Sequence, residues 1–503
     1  MKLWLGLDVG TTAVKAGAYT PDGQQLAFAE APSTVKQLPD GGREQDMALV
    51  WNTVCGVLSD LTAQCKGEAF ESLGVAAQGD GLWCIRQDGT PAAPAMLWND
   101  TRTAKDLALV TESGAAASIG RGCHTSLWSG TSGMLWRWLR DNNPKAAEET
   151  AHTVTCADWI SLCLTGEIAT DFSNASIPFL DFAGRDYASS QISALECEDM
   201  AQRLVSPRRS DNLLGEITAE TAKVTGLPEG LPVSTGTLDL SAMLVGMGMD
   251  QPGQTMMIMG TTAVVNILTD KVEPSDTPVG ASVLHPTSEA IIRVLAPTTG
   301  AAAFDWFASL HPKSLGGSST AEIASRLNEL VEKVPPGSNG VTFMPYLNGE
   351  RAPFVAPDIR GGFHGLTVTS TTGEMGRAVM EGAALSLRHC CEEEGDLPSA
   401  PVRLTGGGAK NPVWCQIIAD IMGQPVLVSF ASDHGLWGAA TLGASAAGLG
   451  DAVTLAAGRE EKLETYHPKN HDCYSGIYAR YVAISRHQRA LQEELTSLQE
   501  ELT

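Results

Sequence analysis

The pentapeptide "GTTAV" occupies residues 10–14 and returns unchanged at residues 260–264, which is 250 positions later in a chain of 503 residues. The letters around the two copies predict the same local structure. "KLWLGLDV" before the first copy and "TMMIM" before the second are typical of buried strands, and strand-like sequence also follows each copy. A repeat at this distance indicates duplicated structure. We therefore predict two homologous domains, each opening with a β-hairpin.

The segments around the two copies alternate between helical and strand-like patterns. Residues 46–65 and 372–394 have helical periodicity, and residues 72–78 read as a strand. A further helix is predicted to begin at the N-cap Asn411 and to end at Gly423. Mixed strands and helices in both halves predict an α/β fold. We place the domains at residues 1–245 and 246–503, and the final helix belongs to the second.

Composition excludes several classes of protein. The formal net charge of −24 argues against nonspecific binding to nucleic acid or to an anionic membrane, because such binding needs a basic surface. The eleven cysteines form no CxxC pair, which is consistent with reduced thiols. The beginning of the chain has no signal-peptide pattern and no segment is apolar enough to span a membrane, so we expect a cytoplasmic protein.

The two Gly-Thr-Thr turns are suited to holding phosphate oxygens. Such a turn exposes several backbone N–H groups and two hydroxyls, and glycine permits a close approach of the backbone. Asp8 lies just before the first turn and could orient Mg²⁺, directly or through water. The alternative is that these are ordinary turns and that Asp8 is only an acceptor within one. The candidate phosphate and magnesium residues are Asp8, Gly10, Thr11, Thr12, Lys15, Gly260, Thr261 and Thr262.

Other nucleotide and metal motifs are absent from the sequence. There is no GxxxxGK[ST] phosphate loop, no GxGxxG fingerprint after a strand and no HExxH pair. The sequence therefore predicts neither a P-loop enzyme, nor a dinucleotide-dependent oxidoreductase, nor a zinc enzyme.

Three segments carry a resemblance to a known family. "GGFHGLTVTSTTGEMGRAVME" at residues 361–381 resembles the second signature of the FGGY carbohydrate kinases. "SGTSGMLWRWLRDN" at residues 129–142 resembles the first, with Met134 where that pattern has lysine, and residues 158–176 resemble a third run. The resemblance implies two duplicated RNase-H-like domains of the actin/hexokinase/Hsp70 superfamily around an interdomain cleft, with ATP held in the cleft.

The resemblance also implies a general base. Asp239, in "STGTLDLSAM", follows a predicted strand and turn and precedes an apolar helical run. The aspartate at this position of the family accepts the proton of the sugar hydroxyl. An ordinary aspartate has a pKa near 3.9 and is a weak base, but in a loose phosphoryl-transfer transition state the proton can leave late. The alternative is that Asp239 merely caps a helix.

Substrate contacts are expected from the first domain. The loop "AAQGDGLW" follows a strand where family members place a sugar-contacting loop, and "LWNDTR" resembles a family run of the form WxDxR. Asp80 could accept hydrogen bonds from neighbouring hydroxyls, and Trp83 could stack on a sugar or pack in the core. Arg102 could instead be a structural ion-pair partner. The candidate substrate-binding residues are Gln78, Gly79, Asp80, Trp83, Asp100, Arg102 and Asp239.

The nucleotide is expected to bind the second domain. The glycine run in "TGGGAKNP" lies between a predicted strand and helix, and could let adenine and ribose lie against backbone or merely permit a tight turn. The family's glutamate before a small-residue helix is replaced here by Asp433-His434. The candidate nucleotide-binding residues are Gly300, Gly406, Gly407, Gly408, Ala409 and Asn411.

The resemblance therefore predicts an ATP- and Mg²⁺-dependent kinase acting on a small sugar. The letters of the 77–83 loop are closest in look to L-xylulose kinases, which favours a pentulose such as xylulose. Two alternatives stay open: a polyol kinase of the erythritol or glycerol type, and a catalytically silent sugar or nucleotide sensor on the same fold. The expected partners are the small molecules and, as a candidate assembly, a second copy of the chain.

Overall fold

The computed structural model describes residues 2–311, 319–395, 397–431 and 433–500. The chain forms two compact units. The first comprises residues 1–251, 270–292 and 431–460, and the second comprises residues 252–269, 293–430 and 461–503. This division differs from the single boundary expected after residue 245, because two later segments pack with the first unit.

Strands are short in both units and helices are mostly two to five turns long. The strands are β1 Lys2–Val9, β2 Ala13–Tyr19, β3 Gln25–Pro32, β4 Lys36–Gln37, β5 Arg43–Gln45, β6 Ala69–Ala77, β7 Trp83–Ile85, β8 Ala95–Met96, β9 His152–Val154, β10 Thr170–Asp171, β11 Leu180–Asp181, β12 Asp186–Tyr187, β13 Pro207–Arg208, β14 Leu213–Glu216, β15 Pro232–Ser234, β16 Thr237–Leu238, β17 Thr255–Met259, β18 Ala263–Thr269, β19 Ala281–Leu284, β20 Ile291–Leu295, β21 Thr342–Met344, β22 Gly362–His364, β23 Val402–Thr405, β24 Val426–Ser429 and β25 Leu463–Tyr466. The helices are α1 Met47–Gln64, α2 Ala104–Glu112, α3 Ala115–Cys123, α4 Ser132–Asn142, α5 Pro144–Glu149, α6 Cys156–Thr165, α7 Phe172–Phe179, α8 Ser189–Ala194, α9 Glu198–Ala201, α10 Ala219–Thr225, α11 Asp239–Gly246, α12 Ala302–Ser309, α13 Thr320–Val331, α14 Thr372–Glu393, α15 Pro412–Met422, α16 His434–Ala446, α17 Ala452–Ala457 and α18 His471–Glu500.

The first unit is built on a mixed sheet in the order β14-β15-β6-β1-β2-β3, and β16 also pairs with β6. Strands β1 and β2 form the predicted antiparallel hairpin, in which Val9 pairs with Val14, while β6 runs parallel to β1. Leu3, Leu5, Leu7 and Val9 of β1 are all buried in the main apolar core of this unit. Because β1 and β6 end at the same edge of the sheet, the residues that follow them come together there.

Helix α16 reaches the first unit from the C-terminal part of the sequence and packs on β1 and β6 without intervening side chains. A methyl group built on Gly74 of β6 would lie 1.7 Å from the carbonyl oxygen of Ala439, and one built on Gly6 of β1 would lie 2.0 Å from that of Leu436. Two strand glycines therefore permit the close approach of this helix, which explains why residues 431–460 belong to the first unit.

The second unit contains a sheet in which β18, β17, β23, β24 and β25 are successive neighbours. Strands β17 and β18 form the second predicted hairpin, and β23 runs parallel to β17. Helix α15 begins and ends as predicted: the Asn411 side chain accepts hydrogen bonds from the N–H groups of Val413 and Trp414, and Gly423 ends the helix in the left-handed conformation.

The two hairpins share their layout but not their register. Val9 pairs with Val14 in the first, whereas Met259 pairs with Ala263 in the second, one residue short of the equivalent partner. The predicted C-terminal helix is α18, and its expected last residues beyond Glu500 lie outside the described part of the chain. In that described part, no helix is both long and apolar enough to cross a membrane.

Candidate active site

The first Gly-Thr-Thr turn connects β1 to β2 at the edge of the sheet in the first unit. The N–H of Gly10 donates to the carbonyl oxygen of Ala13 at 3.0 Å, which closes the turn. Thr12 is exposed and Thr11 is half-buried, so the turn presents at least one hydroxyl to solvent. Lys15 pairs with Asp8 across the hairpin, and its positive charge acts to lower the pKa of that carboxyl group.

Asp8 has a carboxylate oxygen that could bind a positively charged group. Its Oδ1 atom is buried and has no hydrogen-bond partner among the described residues. Burial raises the pKa of Asp8 to about 6, against the smaller opposing effect of Lys15. No group of three or more His, Cys, Asp or Glu side chains in the described ranges is arranged to hold a metal. A single unpartnered carboxylate fits Mg²⁺ that is bound mainly by nucleotide phosphates and water.

Asp239 is the first residue of α11, as predicted, and lies close enough to Asp8 for the two charges to interact. The N–H of Leu240 donates to its Oδ1 atom at 2.6 Å. Solvent reaches the side chain, yet the surrounding protein removes much of its hydration. This desolvation, followed by the negative charge of Asp8, raises the pKa of Asp239 to about 7. The carboxylate therefore has a proton affinity suited to general-base chemistry near neutral pH.

A network centred on the buried carboxylate of Asp171 supports the segment that carries Asp239. Its Oδ2 atom accepts hydrogen bonds from the hydroxyls of Ser173, Ser210 and Thr237, at 2.6, 2.6 and 3.1 Å. The hydroxyl oxygen of Ser173 in turn accepts from the N–H of Leu238 at 3.2 Å. Thr237 and Leu238 form β16, directly before Asp239. The sequence alone indicates no role for Asp171, although this residue lies in the 158–176 run that resembles the family.

Gln78, at the end of β6, is part of a hydrogen-bonded chain that includes the first Gly-Thr-Thr turn. Thr11 Oγ1 donates to Gln78 Oε1 at 2.6 Å, and Gln78 Nε2 donates to Gln45 Oε1 at 2.7 Å. Gln45 Nε2 donates in turn to the hydroxyl of Ser33 at 2.7 Å. The structure thus places the buried Gln78 amide as a support for the turn.

Trp98 was missed by the sequence analysis, although it lies inside the "LWNDTR" run. Its side chain is 41% exposed, and its Nε1 atom donates to Thr11 Oγ1 at 3.1 Å. Trp83, the predicted stacking residue, is only 1% exposed and packs against Trp159 in the core of the first unit, with ring centroids 5.8 Å apart. Trp83 therefore lies in the core, as in the packing alternative that the sequence left open, whereas part of the Trp98 side chain is accessible to solvent.

Gly79 and Asp80 form a tight connection after β6. A methyl group on Gly79 would lie 1.8 Å from Cδ1 of Leu238, so only glycine lets this loop pack beside the residue that precedes Asp239. Asp80 adopts a left-handed backbone conformation with φ of 55°. Its Oδ1 atom accepts from the N–H of Ser132 at 3.2 Å, and its Oδ2 atom is buried without a partner in the described part of the chain.

Asp100 and Arg102 form a buried ion pair. Arg102 donates to Asp100 at 2.8–3.0 Å and to Glu44 at 2.9 Å, and its guanidinium lies 4.4 Å from the ring centroid of Trp138. Asp100 also accepts from the N–H of Arg43. Both side chains are therefore engaged within the protein, which corresponds to the structural role that the sequence left as the alternative for Arg102.

The second Gly-Thr-Thr turn lies in the second unit between β17 and β18, with Thr261 and Thr262 exposed. Gly300 is buried beneath it. Its N–H donates to the carbonyl oxygen of Thr261 at 3.0 Å, and a methyl group on Gly300 would lie 2.5 Å from the carbonyl carbon of Thr262. Gly300 thus supports the turn from behind.

The glycine run after β23 approaches the same turn within the second unit. A methyl group on Gly406 would lie 2.7 Å from the carbonyl oxygen of Met259, and one on Gly408 would lie 2.3 Å from the Cγ atom of the same residue. A methyl group on Gly407 would meet nothing within 4 Å. Gly407 is exposed and Ala409 is buried. The side chain of Asn411 caps α15 and also donates to Asn328 at 2.9 Å, so its polar atoms are already engaged.

Comparison with known protein families identifies the chain. The model of the N-terminal domain of the FGGY family of carbohydrate kinases matches residues 3–246, and that of the C-terminal domain matches residues 255–447. The chain belongs to the FGGY family. It is accordingly a sugar kinase, and the family implies ATP as the phosphoryl donor.

Individual relatives carry several kinase names. The chain is 28% identical over 471 residues to the erythritol kinase of Brucella abortus, covering 89% of this chain and 88% of the relative. It is 27% identical to the L-xylulose/3-keto-L-gulonate kinase of Escherichia coli, with 95% of each chain covered. The crystal structure of xylulose kinase from Rhodospirillum rubrum superposes with a TM-score of 0.87 at 23% identity, covering 98% of this chain and all of that one. The last comparison shows that the two chains share their fold, and together with the two family-model matches it confirms the predicted two-domain FGGY fold.

Proposed function

We propose that this FGGY kinase transfers the γ-phosphate of ATP to a hydroxyl of a pentulose such as xylulose, with Asp239 as the general base. The observation that carries the proposal is the position of the Asp239 carboxylate, which is accessible to solvent at the first residue of α11 and close enough to Asp8 for their charges to interact; desolvation and Asp8 raise its pKa to about 7. A group with that pKa is half ionised near neutral pH, so it can both accept a proton readily and be present as the base.

In phosphoryl transfer the main contribution of the protein is to position the reactants. The hydroxyl of the sugar must lie in line with the γ-phosphate, and the proton must have an acceptor as the new bond forms. Asp239 accepts that proton, and each Gly-Thr-Thr turn carries N–H and hydroxyl donors suited to phosphate oxygens. Mg²⁺, when bound, would neutralise charge on the phosphates, and Asp8 is the residue with a free carboxylate oxygen to hold it directly or through water.

The sugar is proposed to contact the loop after β6 and the exposed ring of Trp98. Trp98 offers an apolar face beside Thr11, and Asp80 shapes this loop from within, because its Oδ2 atom is buried. A pentulose is favoured by the look of the 77–83 loop and by the similarity to the L-xylulose/3-keto-L-gulonate kinase. The similarity to an erythritol kinase favours a four-carbon polyol as the second candidate. A cytoplasmic location and a homodimer stay predictions.

The proposal is tested by measuring ADP release from MgATP with D-xylulose, L-xylulose, erythritol and glycerol as acceptors. We expect a pentulose to give the highest kcat/KM, and Asp239→Asn to lower turnover by about 10²–10⁴-fold, the range typical of general-base removal. Asp46→Asn is the matched control, because it removes the same charge from an exposed helix cap. Normal turnover by Asp239→Asn would refute the mechanism, and preference for erythritol would reassign the substrate.

A further inference from the structure

A small cavity lined by both polar and apolar side chains lies in the first unit, next to the loop that carries Asp80. Its volume is about 40 Å³. The walls come from Asp80, from β9 and the beginning of α6, and from the first turn of α7; they include Thr153, Asp158 and Asn174. A cavity needs about 10–15 Å³ of such space for each water molecule, so this one holds two or three water-sized groups and is too small for a sugar.

Five oxygen atoms of the lining residues are buried and have no hydrogen-bond partner among the described residues. They are Asp80 Oδ2, Thr153 Oγ1, Thr155 Oγ1, Asp158 Oδ1 and Asn174 Oδ1. Thr153, Asp158 and Asn174 are only 5%, 1% and 7% exposed. An unsatisfied buried polar group is destabilising, so five such oxygens among the residues of one cavity call for a partner inside it.

The arrangement presents oxygen atoms rather than N–H donors to the cavity. Asn174 shows this most clearly, because its Nδ2 atom donates to Asp171 Oδ1 at 2.7 Å and its Oδ1 atom is the one left without a partner. Asp158 Oδ2 accepts from the N–H of Thr155 at 2.8 Å, and the side chains of Thr155 and Thr170 also lie near this carboxyl group, whose Oδ1 atom makes no hydrogen bond of good geometry among the described residues. A set of carboxylate, amide and hydroxyl oxygens is the ligand set that hard cations prefer.

The charge on the cavity wall also favours a cation. Asp80 and Asp158 contribute two carboxylates, and no Lys, Arg or His is among the residues that line the cavity. Two buried carboxylates without a cationic neighbour on the cavity wall require a compensating positive charge when they are ionised.

We propose that this cavity binds one hard cation of the alkali or alkaline-earth class, coordinated by Asp80, Thr153, Asp158 and Asn174. The cation would fix the loop after β6, in which Asp80 has a left-handed conformation (φ of 55°) and its side chain is otherwise held by the N–H groups of Ser132 and Gly81. The site is separate from the proposed Mg²⁺ contact at Asp8, and it does not depend on which sugar is phosphorylated.

The test measures binding without any catalytic assay. The full-length protein is dialysed into choline chloride with chelator and then returned to Na⁺, K⁺, Mg²⁺ or Ca²⁺ at constant ionic strength, with neither nucleotide nor sugar present. We expect one of these cations to raise the thermal unfolding midpoint by about 3 °C or more at saturation, as ligand linkage requires. Elemental analysis should then find close to one equivalent of that cation per chain.

Two variants locate the effect, and one serves as control. Asp158→Asn removes a charge from the cavity while keeping an oxygen that can accept from Thr155, and Thr153→Val removes only a hydroxyl. We expect both to abolish or greatly reduce the cation-dependent shift, and Asp46→Asn to keep it in full. Equal midpoints of the wild-type protein in all salts would overturn the proposal in favour of ordered water or protons. An unchanged shift in Thr153→Val would also overturn it, even if Asp158→Asn fails to fold.

Discussion

The carboxylate of Asp171 accepts a 3.1 Å hydrogen bond from Oγ1 of Thr237, two residues before Asp239. Asp171 lies at the beginning of α7, whereas Thr237 belongs to β16. The same carboxylate holds the hydroxyl of Ser173, which accepts from the N–H of Leu238. The backbone leading to Asp239 is thus fixed by a buried side chain that is remote in sequence and that reaches the proposed base only through other residues.

From this network we expect Asp171→Asn to reduce kcat more than it changes KM for either substrate. The amide would replace one acceptor oxygen with a donor, so at least one of the hydroxyls on Asp171 would lose its partner and β16 would shift. A displacement of about 1 Å can cost about 10²-fold in rate. Steady-state kinetics and thermal unfolding should be measured together, with the exposed Asp181→Asn as control. A rise in the KM for either substrate with unchanged kcat would contradict a positioning role for Asp171.

The pKa of Asp239 predicts how activity depends on pH. Because burial and Asp8 raise this pKa from 3.8 to about 7, the base is protonated and inactive at low pH, and kcat/KM for the sugar should rise with a midpoint near 7. If the base were an aspartate with an ordinary pKa near 3.9, kcat/KM would not change with pH near neutrality. Asp8→Asn removes a negative charge that raises the pKa, so its residual activity should show a midpoint at lower pH. A profile that does not change between about pH 5 and 8 would be inconsistent with Asp239 as the titrating base.

Trp98 and Trp83 provide a paired test of which tryptophan contacts the sugar. Trp98 is exposed beside Thr11, so Trp98→Ala should raise KM for the sugar by about 2–10-fold, the value of an aromatic contact, with little change in stability. Trp83 is buried against Trp159, so Trp83→Ala should destabilise the protein by about 3–5 kcal/mol. Chemical denaturation and sugar titrations distinguish these outcomes. If Trp83→Ala instead raised KM for the sugar without loss of stability, and Trp98→Ala destabilised the protein, Trp83 would be the residue that contacts the substrate.

The sequence allowed the local structure around each repeat to be predicted, because strand, turn and cap signals act over a few residues. The two hairpins and the caps of α15 at Asn411 and Gly423 were expected and observed. The packing of α16 on the first unit could not be predicted, because it depends on the contact of Gly6 and Gly74 with backbone more than 360 residues away. The burial of Trp83 and the exposure of Trp98 could not be predicted for the same reason, since an isolated aromatic letter does not reveal whether its ring is covered.

The contact between β6 and α16 predicts a large difference between two glycine-to-alanine substitutions. A methyl group on Gly74 would lie 1.7 Å from the carbonyl oxygen of Ala439, so Gly74→Ala must separate the helix from the sheet and should lower the free energy of unfolding by about 3 kcal/mol or more. A methyl group on Gly56, inside α1, would meet nothing within 4 Å, so Gly56→Ala should raise it by up to about 1 kcal/mol through helix propensity. Denaturant unfolding of both variants measures the difference. Equal stabilities would show that α16 does not pack on this strand as described.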